Sequence, residues 1–228
     1  GGELAVAGAR GKAANTVVTA PETPYVLVER DGPVLWRTLN RPAQRNPLSS
    51  GMIQAMAAAV GAAGAEPGVR VIVIASTGPV FSAGHDLREM GRREGETEQE
   101  RAARIRGILD ACAQMMLAIV HSPRAVIACV EGVATAAGSQ LVSACDLALA
   151  SEGAQFCTPG VNIGTFCTTP LVGIGRNMHR KHAMEMALTG DLMSAQDAVR
   201  FGLVNQALPA AEVRAAVEAL AAKIAGKS

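Results

Sequence analysis

Residues 124–151, RAVIACVEGVATAAGSQLVSACDLALAS, decide the fold. RAVIACVEG and DLALAS are apolar runs of strand length, and the small residues between them lead into a short helix over residues 136–145. Runs that are apolar throughout, rather than alternating, belong to strands covered on both faces. A glycine with alanine neighbours at the strand-to-helix junction lets backbone approach a ligand closely. The first N–H groups of the helix have no intrahelical acceptor, and its dipole draws negative charge to that end.

The same plan occurs upstream. VRVIVIAS (69–76) is a buried strand, TGPVFSAG a loop, and a short helix starts at Asp86. Before them, Tyr25 to Arg30 and Val34 to Asn40 form a hairpin at Asp31-Gly32-Pro33. Ser49 or Ser50 caps a helix with Met52, Met56 and Val60 on one face. GRREGETEQERAAR is a solvated approach to a long helix carrying Ile105, Ile108, Leu109, Cys112, Met116 and Ile119 at helical spacing. Beyond residue 170 come three helical stretches, a short LVNQAL strand, and a last helix with Val213, Val217, Leu220 and Ile224 on one stripe. Strands alternating with helices imply right-handed crossovers and a mainly parallel α/β sheet. No internal repeat is evident. The expected organisation is a flexible leader over 1–20 and one domain over 21–228, its core reaching about residue 175 and its helical C-terminal part following.

A net charge of +1 gives no electrostatic case for nucleic acid or an anionic membrane surface, and no stretch is long and apolar enough for a transmembrane helix. Cys112, Cys129, Cys145, Cys157 and Cys167 are scattered, without C-x-x-C spacing, which argues against disulfides and zinc and for a reducing, cytoplasmic setting. Residues 1–20 lack the apolar core of a secretion signal.

FSAGHDL and ATAAGSQ are the two loops fit for chemistry. Two such helix starts converging would form an oxyanion hole, where one donor is worth roughly 3–4 kcal/mol in a transition state. Other motifs fail on spacing. Neither loop has G-x-G-x-x-G; the terminal AGKS has Ala221 where a P-loop needs its first glycine; Ser139 sits in A-G-S-Q-L, not G-x-S-x-G. His179 and His182 have no third ligand beside them and read as a solvated basic face.

LNRP with RNPLS, then VIVIAS-x-GPVFSAGHDL, then AVIACVEGVATAAGSQLVSACDLALAS, then TPGVNIG, MEMALTG and SAQDAVRFGLVN together resemble the enoyl-CoA hydratase/isomerase (crotonase) superfamily. The resemblance runs from about Tyr25 to the end. It implies a crotonase-like spiral of β-β-α units with a helical C-terminal region, assembled as a homotrimer or dimer of trimers. It implies an acyl-CoA substrate, with coenzyme A entering as part of the thioester and no tightly bound cofactor. The thioester carbonyl would be polarised by the N–H groups of His85 and Ala137. Ala83, Asp86, Leu87 and Arg88 would line the pantetheine and nucleotide path, and Ala43 and Arg45 its adenine and phosphate end. The His85 imidazole would face outward or cap the helix at Asp86.

The family's hydratases activate water with two glutamates, and by resemblance their positions here hold Gln140 and Gly160. An amide cannot take up a proton near pH 7, whereas acid–base catalysis contributes about 10²–10⁴-fold. Gln140 can still orient water or substrate. The expectation is a hydratase/isomerase-like lyase or isomerase that keeps the polarising half of the site. The alternative is a non-catalytic acyl-CoA binder or assembly partner. A Clp-type serine peptidase of the same fold would need serine where Gly138 stands. Relatives continue for several helical turns beyond the equivalent of Ser228, so the resemblance makes this C-terminus short.

Overall fold

The computed structural model describes residues 23–227, so the leader expected over residues 1–20 lies outside the described residues. Strands β1 (Val26–Asp31) and β2 (Val34–Leu39) pair antiparallel with Asp31 opposite Val34. The turn is therefore Gly32-Pro33, and Gly32 at φ +53 suits the first central position of a type II′ hairpin turn. Helix α1 (Ser50–Ala65) follows. Ser49 caps it, accepting from the Met52 N–H at 3.3 Å, while Met52, Ile53, Met56 and Val60 are buried.

The chain then repeats one manoeuvre. Strand β3 (Val71–Ser76) leads to β4 (Val80–Ser82) and to helices α2 (Leu87–Met90) and α3 (Glu98–Val120). Strand β5 (Ala125–Val130) leads to β6 (Val133–Thr135) and α4 (Ala137–Ala144), and β7 (Leu147–Ser151) to β8 (Gln155–Cys157). Helices α5 (Thr168–Asn177) and α6 (Arg180–Thr189), strand β9 (Met193–Ser194), helix α7 (Ala195–Phe201), strand β10 (Gln206–Leu208) and helix α8 (Ala210–Ala225) complete it.

The long strands form one sheet in the order β1-β2-β3-β5-β7-β10, parallel except at β1/β2. Its side chains alternate between two apolar layers, as a pleated strand requires. Leu35, Ile72, Ile74, Val126 and Ala128 join the α1 and α3 side, whereas Trp36, Val71, Val73, Ile127 and Leu149 pack with Val213, Val217 and Ala221 of α8. That double cover explains the unbroken apolar runs.

The short strands form a second sheet, β4-β6-β8-β9, parallel except at β8/β9. The chain thus steps from the first sheet to the second three times, which is the spiral the resemblance implies. TGPVFSAG, expected to be loop throughout, contains β4. The approach to α3, expected to be solvated, is pinned: Glu96 accepts from Arg104 Nε at 2.6 Å and Nη2 at 2.7 Å, which draws its carboxyl down to about 2, and its side chain is 9% exposed. Thr97 and Glu100 close a reciprocal cap at the start of the helix. His182 of the expected basic face stacks its ring on Phe201 at 3.5 Å.

Candidate active site at the ends of three parallel strands

Because β4, β6 and β8 run side by side in parallel, the segments that follow them leave the same end of the second sheet. Ligands in α/β folds favour the carboxyl ends of strands. Hydrogen bonds tie the three loops together. Thr135 Oγ1 donates to the Ala83 carbonyl at 2.9 Å and the Ala136 N–H to the Cys157 carbonyl at 2.9 Å, while Ser139 Oγ donates to the Ala134 carbonyl at 2.7 Å with the Cys157 carbonyl 3.1 Å away.

The small residues are explained by this convergence. A Cβ on Gly84 (φ +81) would lie 2.8 Å from the Thr135 carbonyl oxygen and 3.2 Å from the Ala137 nitrogen. A Cβ on Gly138 would collide with the Ser82 carbonyl. The FSAGHDL and ATAAGSQ loops are therefore in backbone contact. Neither the His85 N–H nor the Ala137 N–H finds an acceptor among the described residues.

Ala136, the residue before α4, holds φ +50 and ψ −117, where a side chain is strained by about 1–3 kcal/mol. Glycine removes that strain but costs about 0.5–1 kcal/mol in conformational entropy. Ala136→Gly is therefore expected to stabilise the fold by about 1 kcal/mol. A urea midpoint below that of the parent would contradict this.

Ala43, Arg45, Ala83, His85, Asp86, Leu87 and Arg88 line one surface depression of about 440 Å³, with Gln44 and Pro47. These residues therefore share one continuous surface. Two of its charges are partly spoken for. Asp86 caps α2 through the Arg88 N–H at 3.0 Å and accepts from Arg88 Nε at 3.0 Å and Nη2 at 2.8 Å, which holds its carboxyl below the usual range. Asp86 is thereby an ionised cap, not a spare base. Leu87 is 64% exposed on the same surface.

The His85 imidazole neither faces outward nor caps α2. Its Nδ1 is buried without a partner, and burial lowers its pKa, opposed in part by the Leu48 backbone and Glu89. The backbone of this loop is joined to the α1 approach, where the Leu48 N–H donates to the Gly84 carbonyl at 2.7 Å.

Gln140 lies in the first turn of α4 with Oε1 buried and unpartnered. A Cβ on buried Gly160 would meet Cys167 Sγ at 2.9 Å and Thr165 Cγ2 at 3.2 Å, so neighbours fill the space around it. All five cysteines are free, and burial pushes the Cys157 thiol up to about 11. No cluster of metal-ligating side chains is present among the described residues.

Two contributors, Asn46 and Glu89, escaped the sequence reading. Asn46, wholly buried, donates through Nδ2 to the Thr77 and Val80 carbonyls and fixes the loop that presents Arg45. Glu89 accepts from the Ser50 N–H and Oγ at 2.9 and 2.8 Å, joining α2 to the start of α1. Thr158, wholly buried, carries an unpartnered Oγ1 one residue past the shared Cys157 carbonyl. The Asn46-Pro47 dipeptide was a turn signal; Glu89 had none.

The family model of the enoyl-CoA hydratase/isomerases matches residues 29–228, so the chain belongs to this family. It is 45% identical over 179 residues to the mitochondrial enoyl-CoA hydratase domain-containing protein 3 of Danio rerio, covering 78% of this chain and 60% of that one. The crystal structure of an enoyl-CoA hydratase from Mycobacterium smegmatis superposes with a TM-score of 0.84 at 42% identity, covering 90% of this chain and 78% of that one. The crystal structure of human enoyl-CoA hydratase domain-containing protein 3 gives a TM-score of 0.84 at 38% identity with the same coverage. The chain spans about three fifths of the length of most of the first curated relatives it matches. These relatives are named as mitochondrial proteins, which differs from the cytoplasmic setting expected above. Scattered thiols do not choose between the two. Among the described residues no helix is long and apolar enough to cross a membrane.

Proposed function

We propose that this protein binds an acyl-CoA thioester and polarises its carbonyl between the N–H groups of His85 and Ala137. The observation that carries the reading is the contact of Gly84 with the Ala136–Ala137 peptide, which sets two donors lacking acceptors beside each other. Such fixed donors stabilise an enolate or a tetrahedral oxyanion without reorganising during the reaction. The depression lined by Ala43, Arg45, Ala83, Asp86, Leu87 and Arg88 supports a path for the coenzyme A portion, which arrives with the substrate. The family's glutamate positions correspond, by resemblance, to Gln140 and Gly160, and Asp86 is held by Arg88. Proton transfer is then the weak half of the site, and Gln140 positions water or substrate. The homotrimer belongs to the same reading, with Ile163 (66% exposed) and Val172 (58%) supplying apolar surface.

Loss of enoyl absorbance from crotonyl-CoA tests this, with calorimetric binding on the same samples. Negligible turnover with clear binding is expected, and Gln140→Glu should raise turnover by roughly tenfold or more by supplying a titratable group. Efficient hydration by the parent chain would overturn the account of Gln140. Binding without turnover of any thioester, in parent or variant, would favour the non-catalytic acyl-CoA binder.

A further inference from the structure

The depression lined by Ala43, Arg45, Ala83, Asp86, Leu87 and Arg88 holds one side chain that can exchange a proton near neutral pH, the imidazole of His85. Its charged neighbours are committed. Asp86 is bound to Arg88 at 2.8 and 3.0 Å, and Glu89 of α2 to the Ser50 N–H and Oγ. Arg45 and Arg88 stay protonated throughout.

The two ring nitrogens of His85 have different surroundings. Nδ1 is buried without a partner, whereas Nε2 is left accessible and unbonded, on a residue that lines the depression. The Leu48 backbone and Glu89 favour a proton on the ring, and burial opposes a second one. With that proton on the enclosed Nδ1, the Nε2 lone pair is free to accept another.

The place of the ring selects the chemistry it can serve. In the reading above, His85 gives its backbone N–H to the thioester carbonyl, and its side chain shares the depression taken by coenzyme A. The imidazole therefore belongs to the sulfur side of the carbonyl, away from the acyl carbons where hydration would occur. Proton transfer on that side makes and breaks bonds at the carbonyl carbon.

We propose that His85, through Nε2, catalyses hydrolysis of the bound acyl-CoA to a carboxylic acid and free coenzyme A. This rests on the acyl-CoA reading above. Water attacks the carbonyl carbon while Nε2 takes its proton, and the oxyanion is held by the His85 and Ala137 N–H groups. The oxyanion then reforms the carbonyl, and the carbon–sulfur bond breaks with its electron pair on sulfur. The imidazolium returns its proton to the thiolate, so one water is consumed and the ring is regenerated. Burial holds the imidazole below its ordinary value, which keeps the neutral base form prevalent at pH 7. Turnover should therefore be level near neutrality and fall about tenfold per pH unit below the imidazole's own value.

Butyryl-CoA isolates this step, because it has no double bond to hydrate or move. Chromatographic release of coenzyme A and calorimetric binding are measured on the parent chain, His85→Gln and His85→Ala. Both variants keep the backbone N–H, so only the ring is tested. The parent should hydrolyse butyryl-CoA with the stated pH profile. His85→Gln should lose roughly 10²-fold or more in kcat, lose the pH dependence, and bind within about threefold of the parent. Added imidazole should raise the rate of His85→Ala. A parent chain that binds butyryl-CoA without hydrolysing it, or an unchanged kcat in His85→Gln, would overturn the role of His85 alone. Loss of binding together with rate in His85→Gln, with no response of His85→Ala to imidazole, would make the ring structural and overturn it too. If the parent does not bind butyryl-CoA, the acyl-CoA reading fails as well.

Discussion

Gly84→Ala is expected to destabilise the protein by about 2–4 kcal/mol and to disable the candidate site at the same time. Two causes add. At φ +81 an alanine is strained, by about 1–2 kcal/mol. Its Cβ would also press on backbone, 2.8 Å from the Thr135 carbonyl oxygen, and backbone cannot swing aside as a flexible side chain can. Relief requires the FSAGHDL and ATAAGSQ loops to part, which separates the His85 and Ala137 N–H groups. Gly95→Ala isolates the first cause, because Gly95 has φ +75 and no atom within 4 Å of its would-be Cβ. That variant should lose only about 1 kcal/mol. Thioester binding or turnover should fall roughly 10²-fold or more in Gly84→Ala, the scale of one lost oxyanion donor, and stay unchanged in Gly95→Ala. Equal denaturation midpoints for the two variants would mean that the loops are not in contact as described.

The contrast between those glycines shows what a sequence can carry. Both are glycines in polar or small-residue loops, and only spatial neighbours distinguish them. The strands β3, β5 and β7 were legible because burial on both faces writes itself as an unbroken apolar run. The strands β4, β6 and β8, three residues each, leave no such run, so the threefold step into the second sheet was legible only through the resemblance, as a spiral of β-β-α units. The repeat lies in geometry and not in residue identity. Residues 83–88 were named together because the resemblance covers them as one contiguous motif. Asn46 and Glu89 were missed because their partners lie 31 to 39 residues away, a separation that no local pattern encodes. Resemblance supplied the pairing of His85 with Ala137. The His85 imidazole was expected to face outward or cap α2, whereas its Nδ1 is buried and Asp86 is the cap.

Asn46→Ala should cost about 3–5 kcal/mol, although Asn46 lies outside the depression residues named from sequence. The side chain satisfies three backbone groups at once. Oδ1 accepts from the Arg41 N–H at 2.7 Å, and Nδ2 donates to the Thr77 carbonyl at 2.8 Å and the Val80 carbonyl at 2.9 Å. Each group left without a partner in the interior costs about 1–3 kcal/mol, moderated where the loop relaxes toward water. Asparagine also tolerates the left-handed φ of +48 found here better than alanine does. At about 2–4 °C per kcal/mol for a chain of this size, the melting temperature should fall by roughly 10 °C. Asn46→Asp sharpens the argument. It keeps the acceptor for Arg41 but turns a carboxylate oxygen toward two carbonyls, so burial and repulsion raise its carboxyl pKa in the folded state. A raised carboxyl pKa means that the folded state binds its proton more tightly than the unfolded chain. The deficit of Asn46→Asp is therefore largest at neutral pH and shrinks as pH falls through the folded value, where the protonated oxygen donates to Thr77 or Val80. A deficit that instead grew on acidification relative to the parent, or an Asn46→Ala loss below about 1 kcal/mol, would show that the loop presenting Arg45 is held by something other than this amide.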